Sequence, residues 1–593
     1  MKKWIIYAAI AVILYAFPWI FPNSFFVHLA QGFLYTYMVV VGLNLLVGLS
    51  GQLSLGHAGF FAIGAYATAL CVNAGVPFLL SLVLGMVLCA LSGGIVAMLS
   101  LRAKGPYLAM VTIAFGLLVE IIANRWVDVT GGPAGLYLPE PEVFGFKLGV
   151  VEYYWLIGLL ALAVTVLVDN LFTSRVGRTF RAMGNSEVAA ATVGVNVRNW
   201  KVLAFALSAL IAGLAGALFA FQNAYFNSDS FTFDKSILFL IGVIVGGAGT
   251  RLGPVVGTVL IFLLPQVIQS LYDYHLLIFG GILLFSLIVL PDGIVGGMQR
   301  LLRAKQAKAE AQPAADGGLA EQQGIGWVAE HAKMELELSH VVMEFGGYRA
   351  VDDVSLLCKG PEVRGLIGPN GSGKSTTVNV LSGVYVPTSG KIVWNGKDVT
   401  AFAPHEMARI GMTRTFQNLQ LFSELTVLQN VMLGFHTHFQ TGFLGSLLHT
   451  GRYRREEERF AREAMRLLRF VGMAEKAQET AANLSYGEQR LVEIARALAV
   501  KPRLLILDEP AAGASHYEVE KITKVIRKLK ELGISILLVE HHMEIVMNVC
   551  DTITVLDFGR KIAEGDPATI QNHPQVIEAY LGGEEVTKLV VGK

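Results

Sequence analysis

Cysteine is scarce: Cys71, Cys89, Cys358 and Cys550 are the only four in a chain of 593 residues. Their spacing fits no metal-ligand or redox pattern, so we read all four as reduced filler. Net charge is equally small, +1 from 47 Lys and Arg against 46 Asp and Glu. The basic footprint of a nucleic-acid binder is therefore missing. Charge is also thin in one half of the chain. Only 25 of the Lys, Arg, Asp and Glu residues lie in 1–300, leaving an oily first half and an ordinary soluble second half. No cleavable targeting peptide is evident. Lys2 and Lys3 precede an apolar run, but no small-residue cleavage site follows and further apolar runs do, so the first helix is expected to be retained.

What fills the first half is a series of apolar runs near the 20 or so residues that cross a bilayer. They lie at 4–21, 27–49, 57–73, 77–99, 107–123, 153–168, 202–222, 236–249, 254–271 and 274–290, about ten spans. The run at 236–249 is short, and the Gly-rich joint after it leaves a re-entrant pair open. Counting ten, Lys2, Lys3, Arg102, Lys104, Arg175, Arg178, Arg181, Arg198, Lys201, Arg251, Arg300 and Arg303 share one side. That side is cytoplasmic by the bias of inner loops toward Lys and Arg, and both ends of the region are inside. Small residues such as Ala209, Gly213, Gly216 and Ala217 predict close helix packing. Asn44, His57 and Glu120 are the polar residues in or beside spans, and intramembrane polar groups are candidates for a solute path. Residues 303–333, rich in Ala, Gln, Lys, Glu and Gly, read as a linker.

From Met334 the pattern changes to strands and helices, with strands expected at 334–345, 353–358 and 362–367. The last feeds Gly368, Pro369, Asn370, Gly371, Ser372, Gly373, Lys374, Ser375 and Thr376 into a helix. Glycines at 368, 371 and 373 let the backbone N–H groups face phosphate oxygens at a helix start. Lys374 reaches the β- and γ-phosphates, and the Ser375 hydroxyl ligates Mg²⁺. Downstream, Leu504-Leu-Ile-Leu-Asp508-Glu509 is a buried strand ending in two carboxylates. Asp508 suits the magnesium shell and Glu509 suits polarising the attacking water. His541, after a strand at 535–540, is placed to meet the γ-phosphate, and Gln417 follows Arg414-Thr-Phe.

Together the phosphate loop, Gln417, the string Leu484, Ser485, Tyr486, Gly487, Glu488, Gln489, then Asp508-Glu509 and His541 resemble, in order and spacing, the ATPase domains of ABC transporters. The Ser-Tyr-Gly-Glu-Gln form, with Arg414-Thr-Phe-Gln417, Val539-Glu-His-His-Met543 and Ala579-Tyr-Leu-Gly582, looks like the ATPase of the branched-chain amino-acid uptake family. The membrane half resembles the permease of that family through Leu53-Ser-Leu-Gly-His-Ala-Gly-Phe60, Gly105-Pro-Tyr, Thr130-Gly-Gly and the stretch from Arg178 to Gly194.

The resemblance implies a polytopic α-helical membrane domain at 1–300, a linker at 301–333 and an α/β P-loop ABC ATPase domain with a helical subdomain at 334–593. It implies ATP with Mg²⁺ held by Ser375, Gln417 and Asp508. Adenine stacks on Phe345 or Tyr348. Ser485 and Gly487 grip the nucleotide of an opposite domain, and Glu187, Ala190 and Gly194 form a cytoplasmic coupling helix. Expected partners are a second permease/ATPase half (self or paralogue), an extracytoplasmic solute-binding protein, membrane lipid and an amino-acid substrate. The expected place is a bacterial inner membrane with the ATPase cytoplasmic. Ala514-Ser515-His516 departs from the Leu-Asn-Pro more usual there, which puts cross-talk between two ATP sites in doubt. Import of branched-chain or related amino acids is the first reading. An ABC exporter is the second, disfavoured because 171–201, the only sizeable inner loop, is short. A membrane-anchored regulatory ATPase is the third, disfavoured because an anchor needs far fewer spans.

Overall fold

Apolar runs of 17 to 27 residues carry few charges and satisfy their backbone groups internally as helices. A computed structural model describes residues 2–101, 105–267, 274–300 and 334–581. The expected linker, with Arg102, Lys104, Arg303, residues 268–271 of the ninth run and Gly582, lies outside the described residues. The chain divides into two units: 1–180, 198–313 and 446–449 form one, and 181–197, 314–445 and 450–593 the other.

In the first unit each of the ten expected runs coincides with helix. Among the described residues, seven stretches are long and apolar enough to cross a membrane: Lys3–Ile20, Ser24–Leu49, Phe78–Leu99, Pro106–Arg125, Val150–Thr173, Val197–Asn223 and Ser228–Gly247. Over the described residues, His57–Asn73, Gly253–Gln266 and His275–Val289 are shorter. At about 1.5 Å per residue a 20-residue helix covers the roughly 30 Å hydrocarbon core. The run at 236–249 falls in the α-helix Phe233–Gly247, which a 3-10 turn at Ser228–Phe231 precedes.

Small residues set the packing of this unit. A Cβ added at Gly216 would lie 1.9 Å from the Phe61 carbonyl oxygen, and one at Gly64 2.1 Å from that of Gly213. The Val197–Asn223 and His57–Asn73 helices therefore touch backbone to backbone, as small residues permit in lipid. The three polar candidates serve this framework. His57 is fully buried, with Nδ1 2.9 Å from Ser54 Oγ and Nε2 2.7 Å from Ser208 Oγ. Asn44 donates to the Thr250 carbonyl and accepts from Gly249 N–H, tying the π-helical end of its helix to the Gly-rich joint. Glu120 accepts from Phe233 N–H at 3.2 Å, at the start of the Phe233–Gly247 helix.

Among the described residues, the second unit holds two sheets. Five parallel strands run in the order Met412–Arg414, Leu504–Asp508, Ser535–Val539, Val363–Ile367, Thr552–Asp557, with Arg560–Gly565 antiparallel at the edge. Leu504–Asp508, Ser535–Val539 and Val363–Ile367 are buried along their whole length, as strands covered on both faces require. An antiparallel sheet of Tyr348–Lys359, Glu335–Phe345, Ser389–Trp394 and Lys397–Asp398 lies beside them. A helical group, Val427–Gly434, Gly451–Phe470 and Tyr486–Ala499, packs through Phe435, Phe460, Leu467 and Leu491. Register aligns Asp508 with Val539 and Val539 with Leu366, so the carboxyl ends of these strands are level. Ligands of parallel α/β sheets bind at that edge.

Candidate functional site

The loop leaving Val363–Ile367 turns through Gly368, Gly371 and Gly373, all with positive φ, into the helix Lys374–Leu381. Gly373 caps that helix at φ +95°, where a Cβ would meet the Ala350 carbonyl oxygen at 2.4 Å, so only glycine fits. Lys374 is buried and its Nζ donates to the carbonyls of Gly368 at 2.8 Å and Pro369 at 2.9 Å. Burial pushes this ammonium below its ordinary value, against the pull of the Glu509 and Asp508 carboxylates. Ser375 is exposed on the first turn, and Thr376 is half-buried beside it.

A cavity of about 660 Å³ opens over this loop, lined by Tyr348, Pro369, Asn370, Gly371, Ser372 and Phe558 with residues of the Pro574–Leu581 helix. Of the two aromatic candidates, the structure brings Tyr348 to the cavity. Phe345 packs edge-on against Tyr385, with ring centroids 5.4 Å apart. Gln575, Glu578 and Ala579 of the C-terminal helix line the same cavity as the phosphate loop. In sequence, Ala579-Tyr-Leu-Gly582 carries a family resemblance without hinting at this placement.

Asp508 and Glu509 end the neighbouring strand. Asp508 is buried; its Oδ2 pairs with Arg414 Nη2 at 2.8 Å, whereas its Oδ1 is buried without a protein partner. Burial raises the Asp508 carboxyl above its usual value, and Arg414 opposes the rise. Arg414 is held in turn by Asn379 Oδ1 at 2.6 Å and Ser382 Oγ at 3.1 Å. Glu509 sits at φ +47°, a strained backbone for a residue with a side chain. Its Oε2 accepts from Gln417 Nε2 at 3.0 Å and lies 3.7 Å from His541 Nδ1. The fold thus gathers Lys374, Gln417, Asp508, Glu509 and His541 around one strand edge. The oxygens that fit a divalent cation are the orphaned Asp508 Oδ1, the exposed Ser375 hydroxyl and the Gln417 side-chain carbonyl.

The helix Tyr486–Ala499 begins with a reciprocal cap. Ser485 Oγ accepts from Glu488 N–H, and Glu488 Oε2 accepts from Ser485 N–H. Leu484 is buried beneath this turn, Tyr486 is exposed, and Gln489 donates to the Leu484 carbonyl at 3.0 Å. Glu518, a residue without any sequence signal of function, lies over Gly487 and accepts from Ser485 Oγ at 3.3 Å. Ser515 caps His516–Glu531 in a second box with the same Glu518, so Ala514-Ser515-His516 still starts a helix. Farther along the signature helix, Arg490, Glu493 and Arg496 are buried together. Arg490 Nη2 donates to the Gln417 carbonyl at 2.8 Å, and Arg496 Nη1 to that of Gln420 at 2.6 Å. Signature helix and Gln417 loop are therefore fastened by one charged network.

Residues 181–197 belong to this same unit. Ser186 caps the helix Glu187–Thr192, and Ala190 is fully buried. Thr413 Oγ1 donates to the Thr192 carbonyl at 3.2 Å, and Asn196 Nδ2 lies 3.2 Å from His405 Nε2. Gly194, at φ +91°, leaves no room for a side chain: a Cβ would lie 2.1 Å from Thr437 Cγ2. Glu187 is half-buried in the first turn.

Comparison with known proteins agrees with both halves. Residues 25–287 match the family "Branched-chain amino acid transport system / permease component". Residues 351–512 match "ABC transporter", and 560–586 "Branched-chain amino acid ATP-binding cassette transporter". The high-affinity branched-chain amino acid transport ATP-binding protein BraF of Pseudomonas aeruginosa is 42% identical over 248 residues, which is 42% of this chain and 97% of BraF. LivG of Escherichia coli, with the same printed function, is 40% identical over the same shares. A crystal structure of a nucleotide-free ATP-binding cassette from an ABC transporter is 35% identical, with a TM-score of 0.38, over 42% of this chain and 99% of that one. With a permease match ahead of a cassette match in a single polypeptide, the chain belongs to the branched-chain amino acid family of ABC transporters.

Proposed function

We propose that this protein uses ATP to import branched-chain or related amino acids across a bacterial inner membrane, with its cassette on the cytoplasmic side. The observation that carries the reading is the seat of Glu187–Thr192 on the cassette. The Thr192 carbonyl is held by Thr413, whose neighbour Arg414 grips Asp508. The helices on either side of this segment, Val150–Thr173 and Val197–Asn223, are both apolar enough to span. A shift of the nucleotide site then has a covalent route into two spans.

Nucleotide phosphates displace the Gly368 and Pro369 carbonyls from Lys374 Nζ, and the loop N–H groups take the remaining phosphate oxygens. Mg²⁺, when bound by Ser375, Gln417 and Asp508, neutralises phosphate charge. Glu509 accepts the proton of the attacking water, and His541 steadies the γ-phosphate end of the site. Ser485 and Gly487 present the N-terminus of their helix to the nucleotide held by a second cassette. Closure of the two makes contacts possible only with triphosphate, so ATP binding shifts a two-state equilibrium and hydrolysis releases it. Gln417 moves with Glu509 through their hydrogen bond and with the signature helix through Arg490. The second half is another copy or a paralogue, and a solute-binding protein delivers the amino acid outside.

The test is uptake of labelled leucine, isoleucine and valine by proteoliposomes loaded with ATP, with the candidate solute-binding protein added outside. ATP-dependent accumulation is expected. Hydrolysis with accumulation of no amino acid in the panel overturns the substrate assignment. Loss of solute from preloaded vesicles overturns the direction.

A further inference from the structure

The membrane unit contains a cavity unrelated to the nucleotide site or to the coupling segment. It measures about 250 Å³ and lies between the N-terminal helix, the Ser24–Leu43 helix, Val150–Thr173 and the segment 251–255. One end is polar. Asp169 Oδ2 accepts from Lys3 Nζ at 3.1 Å and from Tyr7 Oη at 2.7 Å, while its Oδ1 lies 3.1 Å from Arg251 Nε. Lys3 and Arg251 are about half exposed, at 50% and 49%, whereas Asp169 is 15% exposed. Two cations thus face one carboxylate that is already engaged at both oxygens, and the charged residues lining the cavity sum to one positive charge. The other end is hydrocarbon: Ile6, Ile10, Leu252 and Val255 line it and are themselves exposed at the surface of the unit.

We propose that this cavity binds one anionic phospholipid, its phosphate on Lys3 and Arg251 and an acyl chain along Ile6, Ile10, Leu252 and Val255. Charge decides the occupant. A zwitterionic amino acid needs a free carboxylate for its ammonium, and both oxygens of Asp169 are taken. An excess cation at the mouth of an apolar groove suits an amphiphile with a negative head. Lys3 and Arg251 belong to the basic side assigned to the cytoplasm, where such pockets between spans take anionic head groups. The site ties the N-terminal helix to the Gly-rich joint through one ligand. It holds whatever the direction of transport or the solute.

Native mass spectrometry of the purified full-length protein, titrated with dioleoyl-phosphatidylglycerol or dioleoyl-phosphatidylcholine, tests this. A saturable one-to-one adduct is expected with phosphatidylglycerol at a concentration about fivefold or more below that for phosphatidylcholine, the factor expected of one cation near an anionic head. Arg251→Gln and Lys3→Gln should each remove most of that preference. Val255→Trp, which fills the groove and leaves both cations, should remove the saturable adduct. Should Arg251→Gln fail to fold, Lys3→Gln on the exposed N-terminal helix carries the same comparison. Equal affinity for the two lipids, unchanged preference in the folded variants, or displacement by excess inorganic phosphate would overturn the proposal, the last by making it a free-anion site.

Discussion

Glu509 combines a strained backbone with a carboxylate held by one hydrogen bond, from Gln417. Strain of this kind persists where surrounding structure enforces it, and it aims the side chain at the strand edge. Glu509→Gln keeps the shape and removes the proton acceptor. ATP turnover should fall by about 10²-fold or more while binding of a fluorescent ATP analogue stays within a few fold. Parental turnover in phosphate-release assays would remove Glu509 from the role of base. A second residue-scale expectation concerns acid. Burial tends to raise Glu488, but its bonds to Lys476 and Ser485 override this and hold its carboxyl below the ordinary value. Glu518 is held low first by Ser515 N–H and then by the Ser515 and Ser485 hydroxyls. A carboxyl depressed in the fold stabilises above its unfolded pKa, and that contribution is lost as pH falls through the folded value. The caps at Ser485 and Ser515 should therefore loosen below about pH 4, the unfolded carboxylate range. Amide exchange of Tyr486–Gln489, corrected for intrinsic rate, should accelerate there. Unchanged protection down to pH 3 would contradict the capping argument.

In the proposed mechanism two elements carry force between nucleotide and membrane sequence. The first is the Glu187–Thr192 helix with Gly194 behind it. Gly194→Val places a side chain against Thr437 at a φ that valine resists, and Glu187→Arg reverses the charge of the first turn. Either change should lower amino-acid uptake severalfold or more while detergent-solubilised ATPase activity remains near parental. Equal loss of both activities would mean that the segment only supports the fold. The second element is the signature helix, fastened to the Gln417 loop through Arg490, Glu493 and Arg496. Removing one member of a buried charged group leaves the others uncompensated, a loss of about 3–5 kcal/mol. Glu493→Ala should accordingly lower the melting temperature of the cassette by many degrees, read by differential scanning calorimetry. A variant melting with the parent would show the network to be energetically neutral.

For the whole molecule, one polypeptide supplies one permease and one cassette, and in the proposed mechanism Ser485 and Gly487 grip the nucleotide of a second cassette. A working assembly therefore contains two cassettes. Protein purified from its native membrane as Glu509→Gln and held in ATP should appear in mass photometry as particles with two cassettes, and should separate on exchange into ADP. Particles with a single cassette in both nucleotides would contradict assembly across two ATP sites. Whether the second cassette is another copy or a paralogue reads directly from the mass.

The sequence by itself determined the chemistry carried by short contiguous strings and by windows of composition. Gly368 to Ser375 shapes a phosphate cradle wherever a strand precedes it, and runs of some 20 apolar residues become helices in lipid because no other backbone form satisfies its own hydrogen bonds there. Tertiary structure decided what depends on partners far along the chain. Arg414 meets Asp508 across 94 residues and Asn379 across 35. Glu518 reaches Ser485 across 33, and Thr192 is held by Thr413 across 221. His57, Asn44 and Glu120 read as solute-path candidates by polarity alone, and packing turned each toward a hydrogen bond within the helical framework. The physical reason is common to all of them: local propensity and periodicity are written within one turn or one strand, whereas the meeting of distant side chains is fixed only when layers pack and each buried polar group must find a partner.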